Sequence, residues 1–184
     1  MQRDLVLRAT NGDHDAFASL ATIAYGRLHR TAQLILRRED LASDAVQEAL
    51  TSAWLHIRAV RDPDRFDGWL NRLVVRACYQ ELRRAKRWPI QVQVDSVNGP
   101  RIEDTTGALA DRDQLERGFR RLSVEHRAVL AVHHYLGLPD AEAASVLDVP
   151  IGTYKSRLNR AHISLRAALE ADARVAGIGQ ESIA

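Results

Sequence analysis

The residues best suited to chemistry in this sequence follow a group of helix-breaking residues at 148–152. They combine hydroxyl and cationic side chains within two helical turns, and they are Thr153, Tyr154, Lys155, Ser156, Arg157 and Arg160. Such side chains at the start of a helix match the needs of phosphate oxygens and base edges. Lys155 and Arg157 can reach guanine edges or phosphates, and the ring of Tyr154 can contact a thymine methyl group. The set predicts a DNA-binding site.

Two short helices must position these residues. Apolar side chains share one face of the first helix at Ala141, Ala144 and Leu147, and one face of the second at Tyr154, Leu158, Ala161 and Leu165. Two helices around a tight turn are typical of a helix-turn-helix, whose second helix enters the DNA major groove. A plain helical hairpin with a solvated basic face is the alternative. Tyr154 is on the apolar stripe, so a core position is at least as compatible with the pattern as a DNA contact.

Helical periodicity also organises the residues before position 89. It predicts two helices over 4–36, one over 40–57 and one over 66–87.

Local signals mark helix ends in both halves of the chain. Asp13 or Asp15 can cap the second helix and Ser123 a later one, while Gly137 suits a left-handed helix end. In the turn at 148–152, Asp148 must adopt a left-handed conformation, which aspartate tolerates better than most residues.

Two polar surfaces in the first half are candidates for binding. One face of the 40–57 helix presents Asp44, Gln47 and Glu48 and is short of lysine. This face can therefore pair with a basic partner helix. An ordinary solvated face is the alternative. The 66–87 helix ends in cations suited to phosphate contact, namely Arg76, Arg83, Arg84, Lys86 and Arg87. Cations at a helix C-terminus also suit the helix dipole without a ligand. Trp69 can stack on an unpaired base, but core packing is the favoured interpretation.

A change of composition divides the chain into two domains. Residues 89–111 contain prolines, glycines and acidic residues without helical periodicity, which indicates a flexible linker. The sequence therefore predicts an all-α fold of two small helical domains, 4–88 and 112–169, of which the second is a helix-turn-helix domain. The tail at 170–184 is predicted to be frayed.

Bulk properties narrow the class of protein. Of the 184 residues, 46% are hydrophobic, which is enough for a folded core. The charged fraction of 27% argues against global disorder. A net charge of +2 permits a nucleic-acid partner without demonstrating one. The single cysteine, Cys78, excludes an internal disulfide and a cysteine metal cluster. With no signal-peptide pattern and no apolar run near the roughly 20 residues of a membrane span, we expect a cytoplasmic protein without membrane insertion.

The sequence disfavours two other classes of protein. An enzyme is disfavoured because the adjacent His133 and His134 point about 100° apart on a helix and cannot share one metal well. No catalytic residue, cofactor or metal site is therefore expected. A regulator of the response-regulator type has a similar helix-turn-helix, but its receiver domain needs alternating strands and helices. Residues 1–88 show no strand pattern.

Three motifs in order around the linker resemble those of one protein family. They are DLASDAVQEALTSAW at 40–54, DGWLNRLVVRACYQELRR at 67–84 and VPIGTYKSRLNRAHISL at 149–165. In this combination the chain resembles the bacterial RNA polymerase sigma factors of the extracytoplasmic-function (ECF) group, over about residues 4–169. The resemblance implies a sigma factor that binds core RNA polymerase and directs transcription from promoter DNA. It also implies an anti-sigma factor as a partner.

The resemblance assigns roles to the candidate residues. Asp44, Gln47 and Glu48 would dock on the clamp helices of the polymerase largest subunit, and the flap of the second subunit would be a further contact. The −10 promoter element would be contacted by Arg72, Arg76, Gln80, Arg83 and Arg84. The six residues from Thr153 to Arg160 named above would read the −35 element. Family members often carry Asn and Asp at the places of Arg76 and Gln80, so we expect an altered −10 preference. Pro139 stands where a Ser or Thr cap is usual.

Overall fold

The structure, a computed structural model, describes residues 2–87 and 106–181, with side chains considered within 2–85 and 113–172. Within these ranges the chain forms α1 Gln2–Thr10, α2 His14–Leu36, α3 Glu39–His56, α4 Phe66–Arg87, α5 Thr106–Arg120, α6 Val124–Leu130, α7 Asp140–Val146 and α8 Ile151–Glu181. Two 3₁₀ turns, Ile57–Ala59 and Pro63–Arg65, precede α4, and a π-helical segment, Ala131–Tyr135, extends α6. The described residues contain no strand, which confirms the all-α prediction.

In the first domain, α2, α3 and α4 pack on one another, and α1 packs on α2. Their shared core is made of fully buried side chains that include Leu20, Leu28, Ile35, Val46, Phe66, Leu70 and Val74. Asp13 caps α2 as predicted, because its carboxylate accepts the N–H of Ala16 at 3.0 Å. At the other end of α2, Arg37 adopts a left-handed conformation with φ of 58° and donates its N–H to the carbonyl of Gln33.

In the second domain, α8 packs against α5, α6 and α7. Three local predictions are confirmed here. The hydroxyl of Ser123 accepts the N–H of His126 at 3.2 Å, and Gly137 ends its helix with φ of 62°. Asp148 takes the left-handed conformation that the turn before α8 requires, with φ of 54°. Pro139 precedes α7 without a side-chain cap, so the first turn of α7 lacks the acceptor that a Ser or Thr would supply.

A buried arginine joins the two domains. The side chain of Arg127 on α6 is only 8% exposed. Its Nε donates to the carbonyl of Ile35 in the last turn of α2 at 2.7 Å, and its Nη1 donates to the carbonyl of Leu122 at 3.1 Å. Nearby, Arg37 pairs with Glu116 at 3.2 Å. Since α4 also contacts α7, the structure is a closed arrangement of the two domains.

The second domain differs from the sequence prediction at both ends. Its first helix begins at Thr106, six residues before the predicted start of the domain, so the predicted linker 89–111 overlaps α5. Residues 89–105 of that linker lie outside the described residues. The tail predicted to be frayed at 170–184 continues α8 as far as Glu181. The buried Asp172 explains part of this extension, because it pairs with Arg117 of α5 at 3.3 Å and with Arg121, just after α5, at 2.5 Å.

Candidate nucleic-acid interface

The first turns of α8 present most of the predicted −35 residues to solvent. Thr153, Lys155, Ser156 and Arg160 are exposed, and Arg157 is half-buried. Arg160 is oriented by its own helix, since its Nε donates to the carbonyl of Ser156 and its Nη2 to the hydroxyl of Ser156, both at 3.2 Å. Lys155 lies 3.6 Å from the carboxylate of Asp140 on α7 in a largely exposed pair. The basic groups therefore lie at the surface of the helix-turn-helix.

Tyr154 does not belong to this surface, and its predicted contact with DNA is contradicted by its burial. The side chain is completely buried, and its hydroxyl lies 2.8 Å from Nδ1 of His133. Burial raises the pKa of the Tyr154 hydroxyl. Tyr154 is buried because it lies on the apolar stripe of α8, which faces the domain core. Its ring thus anchors α8 and cannot contact a thymine methyl group.

The predicted −10 residues lie along α4 in different environments. Arg72, Arg76, Arg83 and Arg84 are exposed, whereas Gln80 is half-buried. Arg72 donates a hydrogen bond to the hydroxyl of Ser145 on α7, so the second domain covers this end of the row. Trp69 packs against the apolar core, with its ring centroid 5.9 Å from that of Phe66, which agrees with the core interpretation.

The predicted polymerase-facing residues share a surface cleft with one of the predicted DNA-binding arginines. Asp44, Gln47 and Glu48 are exposed on α3, and with Thr51, Glu81 and Arg84 they line a cleft of about 260 Å³. Arg84 lies 2.5 Å from Glu81 and 3.8 Å from Glu48. The cleft is therefore acidic, with a single cation among its lining residues.

Sequence reasoning missed several residues that shape these surfaces. Glu81 is a cleft residue only 7% exposed, and its i,i+3 spacing to Arg84 was the signal that could have revealed it. Another missed group holds the start of α4, where Arg27 of α2 binds Asp67 at 2.6 Å and also donates to the buried Asn71. No local pattern in the sequence indicates this contact, since its partners are 40 or more residues apart.

Metal and membrane features are absent from the part of the chain that the structure describes. Within it, no group of three or more His, Cys, Asp or Glu side chains is arranged to hold a metal ion. No described helix combines the length and apolar character of a membrane span.

Comparison with known proteins identifies the family. The family model Sigma-70 region 2 matches residues 20–88, and the model Sigma-70, region 4 matches residues 112–163. The ECF RNA polymerase sigma factor SigM of Mycobacterium tuberculosis is 35% identical over 162 residues, which cover 88% of this chain and 81% of the relative. The chain belongs to the ECF RNA polymerase sigma factors. It is thus a non-enzymatic, promoter-recognising subunit of RNA polymerase, as the three sequence motifs predicted.

Solved structures support the fold of this ECF sigma factor. CnrH, solved in complex with the cytosolic domain of CnrY, has a TM-score of 0.65 and 26% identity, covering 93% of this chain and 98% of that chain. The sigma factor RpoE of Bartonella quintana, solved with the anti-sigma factor NepR, has a TM-score of 0.70, 21% identity, and covers 85% of this chain and 98% of that chain. The latter similarity concerns the fold alone.

Proposed function

We propose that the two domains of this ECF sigma factor contact different elements of the promoter. The start of α8 reads the −35 element through Thr153, Lys155, Ser156, Arg157 and Arg160. The exposed side of α4 contacts the −10 region through Arg72, Arg76, Gln80, Arg83 and Arg84. The cleft at Asp44, Gln47 and Glu48 docks on core polymerase. The observation that carries the −35 assignment is the exposure of Thr153, Lys155, Ser156 and Arg160 around a fully buried Tyr154.

The pairs made by the α8 cations are weak enough to be exchanged for DNA. The Lys155–Asp140 pair is exposed, and exposed ion pairs stabilise a protein by about 0–1 kcal/mol. A phosphate can therefore replace Asp140 at little cost. Arg160 already has its guanidinium fixed by Ser156, which reduces the conformational entropy it loses on binding. These features favour α8 as the helix that enters the major groove.

The closed arrangement obstructs the start of the α4 surface that is proposed to contact the −10 region. Arg72 is engaged by Ser145 of α7, and the carboxylate of Glu142 on α7 lies against Gly68 at the start of α4. Contact of Arg72 with the −10 region therefore requires α7 to move away. We infer that the two domains separate when the protein binds core polymerase and promoter DNA.

The acidic cleft on α3 suits a basic partner surface. Asp44 and Glu48 are exposed, and in the cleft only Arg84 offsets their charge. In the assignment by resemblance, the clamp helices of the polymerase largest subunit supply the complementary cations, and the flap of the second subunit contacts the second domain. The same proposal includes a cytoplasmic location and an anti-sigma factor that keeps the two domains together.

The −35 assignment is tested by the salt dependence of promoter binding. Holoenzyme assembled with the full-length chain is titrated onto labelled promoter fragments at several salt concentrations. Lys155→Ala should lower the slope of log K against log salt by about one unit if Lys155 contacts a phosphate. The matched control is Arg166→Ala, an exposed arginine on the same helix about 16 Å further along. Equal slopes for both variants would refute the assignment.

A further inference from the structure

Three histidines form a cluster in the helix-turn-helix domain. His133 and His134 lie in the π-helical segment, and His162 lies on α8. The Nε2 atoms of His134 and His162 face each other at 2.8 Å. His133 is directed elsewhere, with its Nδ1 at the hydroxyl of the buried Tyr154. Two of the three imidazoles thus converge on one point at the surface.

We propose that His134 and His162 together bind one late first-row divalent transition ion such as Ni²⁺ or Cu²⁺, with water in the remaining coordination positions. Imidazole nitrogens bind such ions at about 2.0–2.1 Å, so two nitrogens at 90° to each other are about 2.9 Å apart. A tetrahedral pair is about 3.4 Å apart. The observed separation therefore matches that of adjacent positions of a square-planar or octahedral ion. In the structure the two rings meet head-on, with centroids 5.2 Å apart, so both exposed side chains must turn toward the ion when it binds.

The local backbone favours the same interpretation. The π-helical segment is a departure from regular α-helix, and such segments occur frequently at functional sites.

The expected site has two protein ligands and modest affinity. No group of three or more metal-ligating side chains is present among the described residues, so water must complete the coordination shell. The two ligands come from different helices, and a bound ion would therefore connect the π-helical segment to the helix that carries Lys155 and Arg160. Mg²⁺ prefers oxygen ligands and should not bind here.

The test is a calorimetric titration of the full chain, prepared without a histidine tag. NiCl₂ should bind with one ion per chain, and MgCl₂ should give no heat of binding. His134→Gln and His162→Gln should each weaken Ni²⁺ binding by roughly 10²-fold or more, because a single imidazole lacks chelation. The matched control is His56→Gln, which removes an exposed histidine of the first domain and should leave binding unchanged.

Either of two results would overturn the proposal: no Ni²⁺ binding to the wild-type chain, or undiminished binding to His134→Gln or His162→Gln. If a variant does not fold, the wild-type chain decides the question. Ni²⁺ should then protect His134 and His162, but not His56, from modification by diethyl pyrocarbonate, as read by mass spectrometry. Equal modification of all three histidines with and without Ni²⁺ would contradict the site.

Discussion

Replacement of Arg127 by methionine should separate the two domains. The guanidinium makes two hydrogen bonds to main-chain carbonyls, of Ile35 and Leu122. Bonds from a charged donor are worth about 1.5–3 kcal/mol each, which gives roughly 3–6 kcal/mol for the pair. Methionine keeps the apolar stem and removes the desolvation penalty of the buried charge, which offsets about 1–2 kcal/mol. We therefore expect Arg127→Met to lower the free energy of unfolding by about 2–4 kcal/mol.

Urea denaturation with two signals measures this effect. Trp54 on α3 and Trp69 on α4 report on the first domain by their fluorescence, whereas circular dichroism reports on helices of both. The wild-type curves should coincide, and those of Arg127→Met should separate at lower urea. With a slope of about 1–3 kcal/mol per molar urea, the midpoint should fall by roughly 1 M or more. The control is Arg120→Met, at an exposed position of α5. Equal midpoints for the two variants, with coincident signals in both, would refute the role of Arg127.

Three further predictions concern single side chains. Tyr154→Phe removes only the contact with His133 and should cost about 0.5–1.5 kcal/mol of stability while leaving −35 DNA affinity unchanged; lost DNA affinity at unchanged stability would contradict the core position of Tyr154. The pKa of Asp13 is lowered from 3.8 by the hydrogen bond from the Ala16 N–H and then by Arg8, so its stabilisation is complete above pH 3.8 and is lost as the pH falls through the lowered pKa. Asp13→Asn should flatten the fall in melting temperature below pH 4, and unchanged pH dependence would show that the cap carboxylate does not contribute. Burial raises the pKa of the Cys78 thiol to about 12, so iodoacetamide at pH 8 should modify it only after denaturation; rapid alkylation of the native protein would mean that the helix around Cys78 opens readily.

Features set by neighbouring residues could be predicted from the sequence. The bounds of α4 agree with the prediction, because Pro63 and the aspartates around it stop any earlier helix and the apolar stripe continues to Ala85 in the last turn. The caps at Asp13 and Ser123 and the left-handed Asp148 were predictable for the same reason, since each depends on its own turn.

Features that depend on tertiary contacts could not be predicted in this way. Arg127 occupies an ordinary helical position, and its partner at Ile35 is 92 residues away in the sequence. The pairing of His134 with His162 depends on how the π-helical segment packs on α8, which periodicity does not specify. The continuation of α8 beyond residue 169 involves the ion pairs of Asp172 with Arg117 and Arg121, so the composition of the tail alone was misleading.

The sequence pattern alone could not decide whether Tyr154 contacts DNA or lies in the core. A tyrosine at the start of a recognition helix is chemically suited to DNA, and the same residue at stripe spacing is suited to the core. Only packing decides between the two, and here the packing of α8 against the rest of its domain buries the ring completely.

In the proposed function, the chain directs polymerase to promoters through the start of α8. The most direct test is transcription in vitro with purified core polymerase, the full-length chain and a pool of promoter fragments from the source genome. We expect defined transcripts that disappear with the double variant Lys155→Ala, Arg157→Ala and persist with Arg166→Ala. Transcripts that persist with the double variant, or no transcripts from the wild-type chain, would contradict this account.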